Sequence, residues 1–432
     1  RQVDVIWWRQ FDDPVINELV QIIYADNLTL AIAQTRLSEA EALRGTVPSN
    51  LSITGDTAAI AQRDLQTDTT ASGATADLRI SWLFDPFQRQ AASRALADNN
   101  VTLARAELST ARQVVLASLL NTYVDLRFQQ ARRANVAAEI TRRRNSIAAQ
   151  ERNAAAGNST EIELTTARAQ VAARRTELPL IEAEISRLAN QIAVLAGRLP
   201  GALDVDLQTR RQQPTPHGLP TTGVPSDLLR NRPDLFALER EYYAALLGVT
   251  QARADLYPRL SIGGTLSGSS IGADRALASF GPTLTLPSLP NGASRAAVDA
   301  AELRVLIAFD TWKEAVLSAV ADAESAVISV QATARALEAA SQSTALNRRA
   351  LNQTQQVLNV GGATLSDITD AEDRVAAAEA TQARLRQAYA RAFIDLQVQL
   401  GSGEVLGIAS PDQRTAGPSE EVATIDDQIT SN

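Results

Sequence analysis

The longest stretch of the sequence with neither proline nor glycine indicates the fold. It spans Phe87–Ala156 and reads FQRQAASRALADNNVTLARAELSTARQVVLASLLNTYVDLRFQQARRANVAAEITRRRNSIAAQERNAAA. At about 1.5 Å of rise per residue, one helix over these roughly 70 residues would be about 100 Å long. Helices in ordinary globular domains average about 11–12 residues. The stretch therefore predicts an extended helical structure rather than a compact domain.

Helices are also predicted on both sides of this stretch. Asp13 and Pro14 form a helix start, and this first helix is predicted to run to about Arg44, where Gly45 and Pro48 end it. After the long stretch, apolar residues recur at the three-and-four spacing of a coiled coil: Leu164, Val171, Leu178, Ile181, Ile185, Leu188, Ile192 and Leu195. A second long helix is predicted over 293–360 and another over about 365–400.

The two halves of the chain resemble each other. Three pairs of landmarks recur in the same order at offsets of 209, 204 and 204 residues: LSITG at Leu51–Gly55 with LSIGG at Leu260–Gly264, the turn at Gly157 with the turn at Gly361, and Gly197 with Gly401. Ordered landmarks at a nearly constant offset are typical of an internal duplication. Each half is predicted to contain a helix, a strand pair, a long helix, a glycine-containing turn and another helix.

The predicted strands alternate apolar with polar residues. Nine side chains form their apolar face and are predicted to contact lipid: Leu51, Ile53, Leu78, Ile80, Trp82, Leu260, Ile262, Leu284 and Leu286. Such alternation is typical of a membrane barrel strand, and equally of a half-exposed strand in water. Four strands cannot close a barrel, which needs about eight or more. Three chains would supply about twelve strands and remove every free edge, so a homotrimer is predicted.

Composition argues against several functions. The net charge of −8 argues against a nucleic-acid partner. The chain has no cysteine, and its single histidine, His217, lies in a proline-rich stretch. No metal-ligand cluster, nucleophile elbow or phosphate loop is found, so we expect no enzyme activity, no catalytic residue, no metal and no cofactor. The sequence contains no run of about 18–20 uninterrupted apolar residues, which is the length that a membrane-spanning helix needs.

Two motifs resemble a known family, the TolC-like outer-membrane factors, and in particular the lipoprotein branch that serves RND-type efflux pumps. Trp7-Trp8-Arg9-Gln10-Phe11-Asp12-Asp13-Pro14 is similar to the family's W-x-x-F-x-D-P pattern. Val224-Pro225-Ser226-Asp227-Leu228-Leu229-Arg230-Asn231-Arg232-Pro233-Asp234 is similar to its central PSDLLxRRPD pattern. In the second motif, Pro233 is expected to start a helix and Asp234 to lie in its first turn. The lipidated branch carries an N-terminal cysteine, which this sequence does not contain.

The resemblance implies a fold and a function. The fold would be mainly α with a small β part: four strands per chain in a shared 12-stranded outer-membrane barrel, long coiled-coil helices forming a periplasmic tunnel, and a mixed equatorial collar. The function would be a passive efflux duct in the Gram-negative outer membrane, projecting into the periplasm. Its partners would be two further copies, a periplasmic adaptor protein, an inner-membrane RND-type transporter and outer-membrane lipid. The alternatives are a type I secretion duct for protein export and a soluble coiled-coil scaffold.

The resemblance also implies a gate at the periplasmic tip. The family pattern there is a glycine followed by aspartates six and nine positions later, which here are Gly361, Asp367 and Asp370. Ser366 lies beside them. Three copies would place a ring of six carboxylates around a narrow lumen, where like charges repel one another and attract cations. The alternative is that both aspartates only cap a helix start. Leu358 and Ala363 replace the tyrosine and arginine of TolC.

These predictions divide the chain into eight segments: an N-terminal segment with the first helix (1–46), a first hairpin (47–86), long helices of the first repeat (87–197), an equatorial linker (198–232), a helix (233–256), a second hairpin (257–290), long helices of the second repeat (291–400) and a C-terminal equatorial tail (401–432).

Overall fold

A computed structural model describes residues 6–64, 68–154, 161–203, 205–209, 212–217, 232–271, 275–287, 291–359 and 362–402. Within these ranges, a 3-10 helix spans Trp7–Phe11, and the α-helices are α1 (Pro14–Asp26), α2 (Leu28–Arg44), α3 (Arg89–Ala154), α4 (Glu161–Arg175), α5 (Glu177–Leu195), α6 (Pro233–Ala254), α7 (Gly292–Asn359) and α8 (Leu365–Gln399). The strands are β1 (Leu51–Asp64), β2 (Thr69–Phe84), β3 (Arg259–Ser269) and β4 (Arg275–Thr285). The fold is mainly α-helical with one small sheet, as predicted.

The two longest helices confirm the main prediction. Helix α3 has 66 residues and α7 has 68, so each is about 100 Å long. Helix α3 begins two residues later than predicted. The Asp85 carboxylate accepts hydrogen bonds from the N–H groups of Arg89 and Gln90, at 2.9 and 2.7 Å, and Gln88 takes a left-handed conformation. The chain therefore turns at Phe87 before the helix starts.

The prediction of one helix from Pro14 to Arg44 is wrong. Asn27 has extended backbone angles and separates α1 from α2, which are bent by 43°. Its side-chain oxygen accepts the N–H of Leu30 at 2.9 Å, and its amide donates to the Leu195 carbonyl at 2.7 Å. Asn27 thus caps α2 and fixes its start against α5, because its side chain competes with the helical backbone for hydrogen bonds.

The coiled-coil stretch is also divided, at Thr176 between α4 and α5. Pro179 lies in the first turn of α5, where a missing backbone N–H is tolerated. If α4 continued through Pro179, a backbone carbonyl one turn earlier would lack its N–H donor. The predicted apolar residues Ile181, Ile185 and Ile192 are buried, so the coiled-coil pattern correctly identified the packed face.

The internal duplication is visible at the ends of α5 and α8. Gly197 and Gly401 both have a φ of 67°. Their N–H groups donate to the carbonyls of Val194 and Val398, each at 3.0 Å. A left-handed glycine of this kind ends many helices. At Gly197 a Cβ atom would lie 2.3 Å from the Asp26 carbonyl oxygen, so glycine is required there for space as well.

The four strands form one antiparallel sheet in the order β1-β2-β3-β4. The two hairpins are therefore joined, because β2 pairs with β3 from Thr75–Ser269 to Phe84–Leu260. Strands β1 and β4 are the two edges, each without a second neighbour in the described chain. Strand β2 has 16 residues, which extends well beyond its predicted alternating segment.

The helices form two rows. Near the sheet, α2 contacts α3, α3 contacts α6 and α6 contacts α7. Farther from the sheet, α4 and α5 pack on α3, α3 packs on α8, and α8 packs on α7. Helix α7 therefore lies at one side of both rows, and α2, α4 and α5 lie at the other. The largest apolar cluster joins the N-terminal segment to these helices through buried Trp7, Leu19, Tyr123, Ile192 and Phe393.

By length and composition, helix α7 contains a segment apolar enough to cross a membrane, with a mean hydropathy of 1.3. The bent pair of α1 and α2 passes the same test when taken together. Only 22% of the α7 segment is buried in one chain. The segment therefore has an apolar surface that its own chain leaves uncovered.

Candidate functional site

The sheet has one apolar and one polar face. Residues directly paired across antiparallel strands point to the same side. The pairs Leu51–Trp82, Ile53–Ile80, Leu78–Leu266, Trp82–Ile262 and Leu260–Leu284 therefore place eight of the nine predicted lipid-contacting residues on one face. Leu286 lies just after β4, which ends at Thr285. The apolar side chains stay exposed in one chain; Ile53 is 62% exposed.

The opposite face is polar. Asp56 pairs with Asp77, and Arg79 pairs with Thr54 on one side and Thr265 on the other. Over these pairs the sheet fits a wall with lipid on one side and water on the other.

Sequence reasoning missed part of the apolar face. Phe280 on β4 is 83% exposed and pairs with Gly264, so it lies on the same side as Ile80. The local sequence from Arg275 to Pro282 does not alternate clearly, and a proline discourages a strand prediction. The pairing partner on β3 would have been needed to place Phe280.

The predicted gate residues lie at the start of α8. Thr364 is the N-cap: its hydroxyl accepts the Asp367 N–H at 3.2 Å, while its own N–H and hydroxyl donate to Asp367 Oδ2 at 2.7 and 2.6 Å. The Thr364 hydroxyl, and then its N–H, lower the pKa of the Asp367 carboxyl. Asp367 therefore closes a capping box, the alternative role considered from the sequence.

Asp370 differs from Asp367. Its side chain is exposed and forms no hydrogen bond or ion pair with any described residue. Ser366 is exposed as well. Residues three apart on a helix are neighbours on its surface, so Asp367 and Asp370 present two carboxylates close together. Gly361 lies outside the described residues, whereas Leu358 and Ala363 lie within them.

A charged cluster that sequence analysis did not predict connects α3 to α8. Arg143 is only 8% exposed at its side chain and donates to Glu139 at 3.0 Å, to Gln170 at 2.7 Å and to Asp373. Glu139 also accepts from Arg174 at 3.0 Å. One buried arginine thereby links three helices, α3, α4 and α8.

Two more contacts continue this cluster along α8. The Ser146 hydroxyl donates to Glu372 at 3.0 Å, and burial raises the pKa of the Glu372 carboxyl. Glu379 accepts from Arg142 of α3 at 3.4 Å and from Arg348 of α7 at 2.8 Å. A sequence signal existed, because Glu372 and Glu379 occupy the helical face that otherwise carries buried apolar residues.

The N-terminal motif has a structural role. Trp7 and Phe11 are buried against Phe393, with ring centroids 6.1 and 5.6 Å apart. Asp13 caps α1 by accepting the Val15 N–H, and its other oxygen accepts the Tyr123 hydroxyl at 2.5 Å. Burial raises the pKa of Tyr123. The motif therefore fixes the chain start against α3 and α8.

The central motif is described only in part. Residues 224–231 lie outside the described ranges, whereas Pro233 is the first residue of α6 and Arg232 pairs with Asp234 at 2.6 Å. His217 is exposed. In the part of the chain that the structure describes, no group of histidine, cysteine, aspartate or glutamate residues could hold a metal ion.

Comparisons with known proteins agree with this geometry. The family described as "Outer membrane efflux protein" matches residues 224–402. Nodulation protein T of Rhizobium leguminosarum bv. trifolii is 28% identical over 92% of this chain and 88% of that protein. The pyoverdine export outer membrane protein OpmQ of Pseudomonas aeruginosa is 26% identical over 92% of this chain and 87% of that protein.

Solved structures share the fold. The outer-membrane channel OprN superposes with a TM-score of 0.83 at 28% identity and covers 93% of both chains. The outer membrane protein VceC from Vibrio cholerae superposes with a TM-score of 0.80 at 22% identity, over 93% of this chain and 100% of that one. The second likeness supports the fold alone.

The two-faced sheet on long paired helices, together with these likenesses, defines a TolC-like outer-membrane channel. These likenesses support the function of an efflux duct, located in the outer membrane of a Gram-negative cell. The family acts as a transport duct, forms trimers, and works with an adaptor and an inner-membrane transporter in tripartite pumps.

Proposed function

We propose that three copies of this chain form one duct that receives small molecules from an inner-membrane RND-type transporter through a periplasmic adaptor and releases them outside the cell. The observation that carries the proposal is the four-stranded sheet, apolar on one face, polar on the other and open at both edges. Open edges with exposed apolar side chains are a liability in water. Three such sheets closing edge to edge remove both edges and enclose a polar lumen.

The chain order supports edge-to-edge assembly. Helix α2 leads into β1, and β4 leads into α7. If β4 of one copy pairs with β1 of the next, α7 is brought beside the neighbour's α2. Both helices carry exposed apolar side chains: Leu303, Leu306 and Ile307 on α7, and Leu28 and Ile32 on α2. Mutual burial would cover the apolar segment of α7 that its own chain leaves exposed.

Small molecules are the favoured cargo. The relatives include proteins named for pyoverdine export, fusaric acid resistance, and solvent and toluene efflux. These are small organic compounds, which argues for efflux over type I protein export. A soluble coiled-coil scaffold is disfavoured because Phe280, Ile53 and Leu284 would be exposed to water on the sheet.

The gate is proposed at the start of α8. In a closed tip, Asp370 would supply the free carboxylate of the acidic ring, and Asp367 would support it from its capping box beside Ser366. The geometry supports this division because Asp367 is engaged by Thr364, whereas Asp370 has no described partner.

Native mass spectrometry in detergent tests the assembly. We expect a trimer of the 46.2 kDa chain that withstands mild activation. A stable monomer or dimer, or a protein that stays monodisperse without detergent, would rule the proposal out. We also expect the same trimer to conduct ions across a planar bilayer.

A further inference from the structure

Three charged side chains lie together on the polar face of the sheet. Asp56 of β1 pairs directly with Asp77 of β2, and Arg79 follows Asp77 by two residues on the same face. All three side chains are exposed, and none forms an ion pair or a side-chain hydrogen bond with any described residue. Like charges directly opposite each other on neighbouring strands are unfavourable. Exceptions to a local pairing rule of this kind are expected at functional sites.

The side chains around this charged group are short. Arg79 pairs with Thr54 of β1 and with Thr265 of β3, and Asp77 pairs with Ser267 of β3. Serine and threonine side chains end close to the backbone, whereas the stem of an arginine carries its charged head well away from it. Arg79 is therefore the side chain that extends farthest from this part of the polar face.

In the proposed assembly of three copies, the polar face lines the lumen. Three such sheets, with tilted strands about 4.8 Å apart, would enclose a barrel about 24 Å in diameter. The barrel axis then lies about 12 Å from the backbone and closer still to the end of an arginine side chain. Exposed charges act over about 10 Å in 0.1 M salt, so these residues would influence every ion that passes along the axis.

The charged group is far from the proposed gate. Helix α7 is about 100 Å long and runs from the end of β4 to the turn before α8. This distance is about ten times the range of an exposed charge in 0.1 M salt. The two charged regions therefore act on a passing ion independently of each other.

We propose that Asp56, Asp77 and Arg79, which we name the lumen belt, form a charged constriction in the barrel and set its preference between cations and anions. This inference rests on the proposed barrel of three copies. Two carboxylates and one guanidinium leave an excess negative charge in each chain, so the belt favours cations, while Arg79 limits this preference and narrows the lumen. Small organic cations would pass the belt more readily than organic anions of the same size.

Reversal potentials of the full trimer in a planar bilayer test the charge of the belt. Every channel carries Asp367→Ala and Asp370→Ala, so that the proposed gate ring does not contribute. Arg79→Met removes the positive charge but keeps an unbranched side chain, and should raise the ratio of cation to anion permeability about threefold in 0.1 M salt. Asp56→Asn with Asp77→Asn should lower this ratio. Both effects should shrink in 1 M salt, where charges act over only about 3 Å.

A charged thiol reagent tests whether Arg79 faces the lumen. The sequence has no cysteine, so Arg79→Cys provides a single reactive thiol in each chain. A membrane-impermeant cationic reagent should return this channel to the selectivity that it has with Arg79, and an anionic reagent should increase its cation preference. Ile80→Cys is the matched control, because Ile80 is the adjacent residue on the apolar face and should not react.

The outcomes separate the belt from the barrel. The belt is wrong and the barrel stands if Arg79→Cys reacts without a change in selectivity, or if removing positive and negative charge shifts the permeability ratio in the same direction. If Ile80→Cys reacts and Arg79→Cys does not, the faces are reversed and the proposed barrel fails. A wild-type trimer without conductance would refute the proposed function itself. Native mass spectrometry identifies any variant that does not assemble, and the cysteine variants then decide the question.

Discussion

The sheet and the start of α8 expose different kinds of side chain. The sheet exposes large apolar side chains such as Ile53, Trp82 and Leu284, which become stable only when lipid covers them. The start of α8 exposes carboxylates, and the contacts nearest to it include the Arg143–Asp373 ion pair and the Ser146–Glu372 hydrogen bond. The sheet surface therefore favours one permanent assembly, whereas these polar contacts can be exchanged for water.

The largest expected effect tests the apolar side of this comparison. Ile80→Arg should impair assembly in lipid by about 2–4 kcal/mol, because it places a charge on the lipid-facing side of the sheet. Ser81→Arg is the matched control, since Ser81 pairs with Ser52 and Gly263 on the polar face. The fraction of trimer after reconstitution is the measurement. If Ile80→Arg and Ser81→Arg leave the same fraction of trimer, the assignment of the apolar and polar faces of the sheet is wrong.

A smaller effect is expected at the gate. Asp367→Ala with Asp370→Ala should lower the cation selectivity of the open channel and weaken divalent-cation block, because the acidic ring is removed. Asp370→Ala alone should account for most of the change, since Asp367 is engaged with Thr364. Reversal potentials in asymmetric salt measure the selectivity. Unchanged reversal potential and block in the double variant would mean that both aspartates serve only the helix start.

The smallest effect concerns pH. Burial raises the pKa of Glu372, which faces Ser146, Arg142 and Arg143 of α3 and adjoins Asp373. The folded structure therefore favours the protonated form of Glu372. The contribution of protonated Glu372 to the free energy of unfolding is fully present below the ordinary pKa of 4.5, and it is lost as pH rises through the raised pKa.

The free energy of unfolding should therefore rise modestly on acidification toward pH 4.5. Glu372→Gln, which resembles the protonated carboxyl, should remove this dependence. Thermal unfolding of both proteins across the same pH series is the check. A wild-type protein that loses stability as pH falls would show that the ion pairs of Arg142 and Arg143, rather than Glu372, dominate the response.

Local sequence patterns were enough to predict the long helices, the alternating strands, the internal duplication and the start of α6 at Pro233. These features follow from local propensity and periodicity, which are visible within a short window of residues. The sequence also offered Asp367 as a residue that caps a helix start, and the structure showed that it does so together with Thr364.

Features that depend on contacts between different elements of the chain became visible only in the three-dimensional structure. The pairing of β2 with β3 and the contact of Asn27 with Leu195 each need a partner more than a hundred residues away. The position of Phe280 needs its partner Gly264 on the neighbouring strand. The ion pair between Arg143 and Asp373 joins residues 230 positions apart. Such contacts depend on how helices and strands pack in three dimensions, and a local pattern of residues does not contain that information.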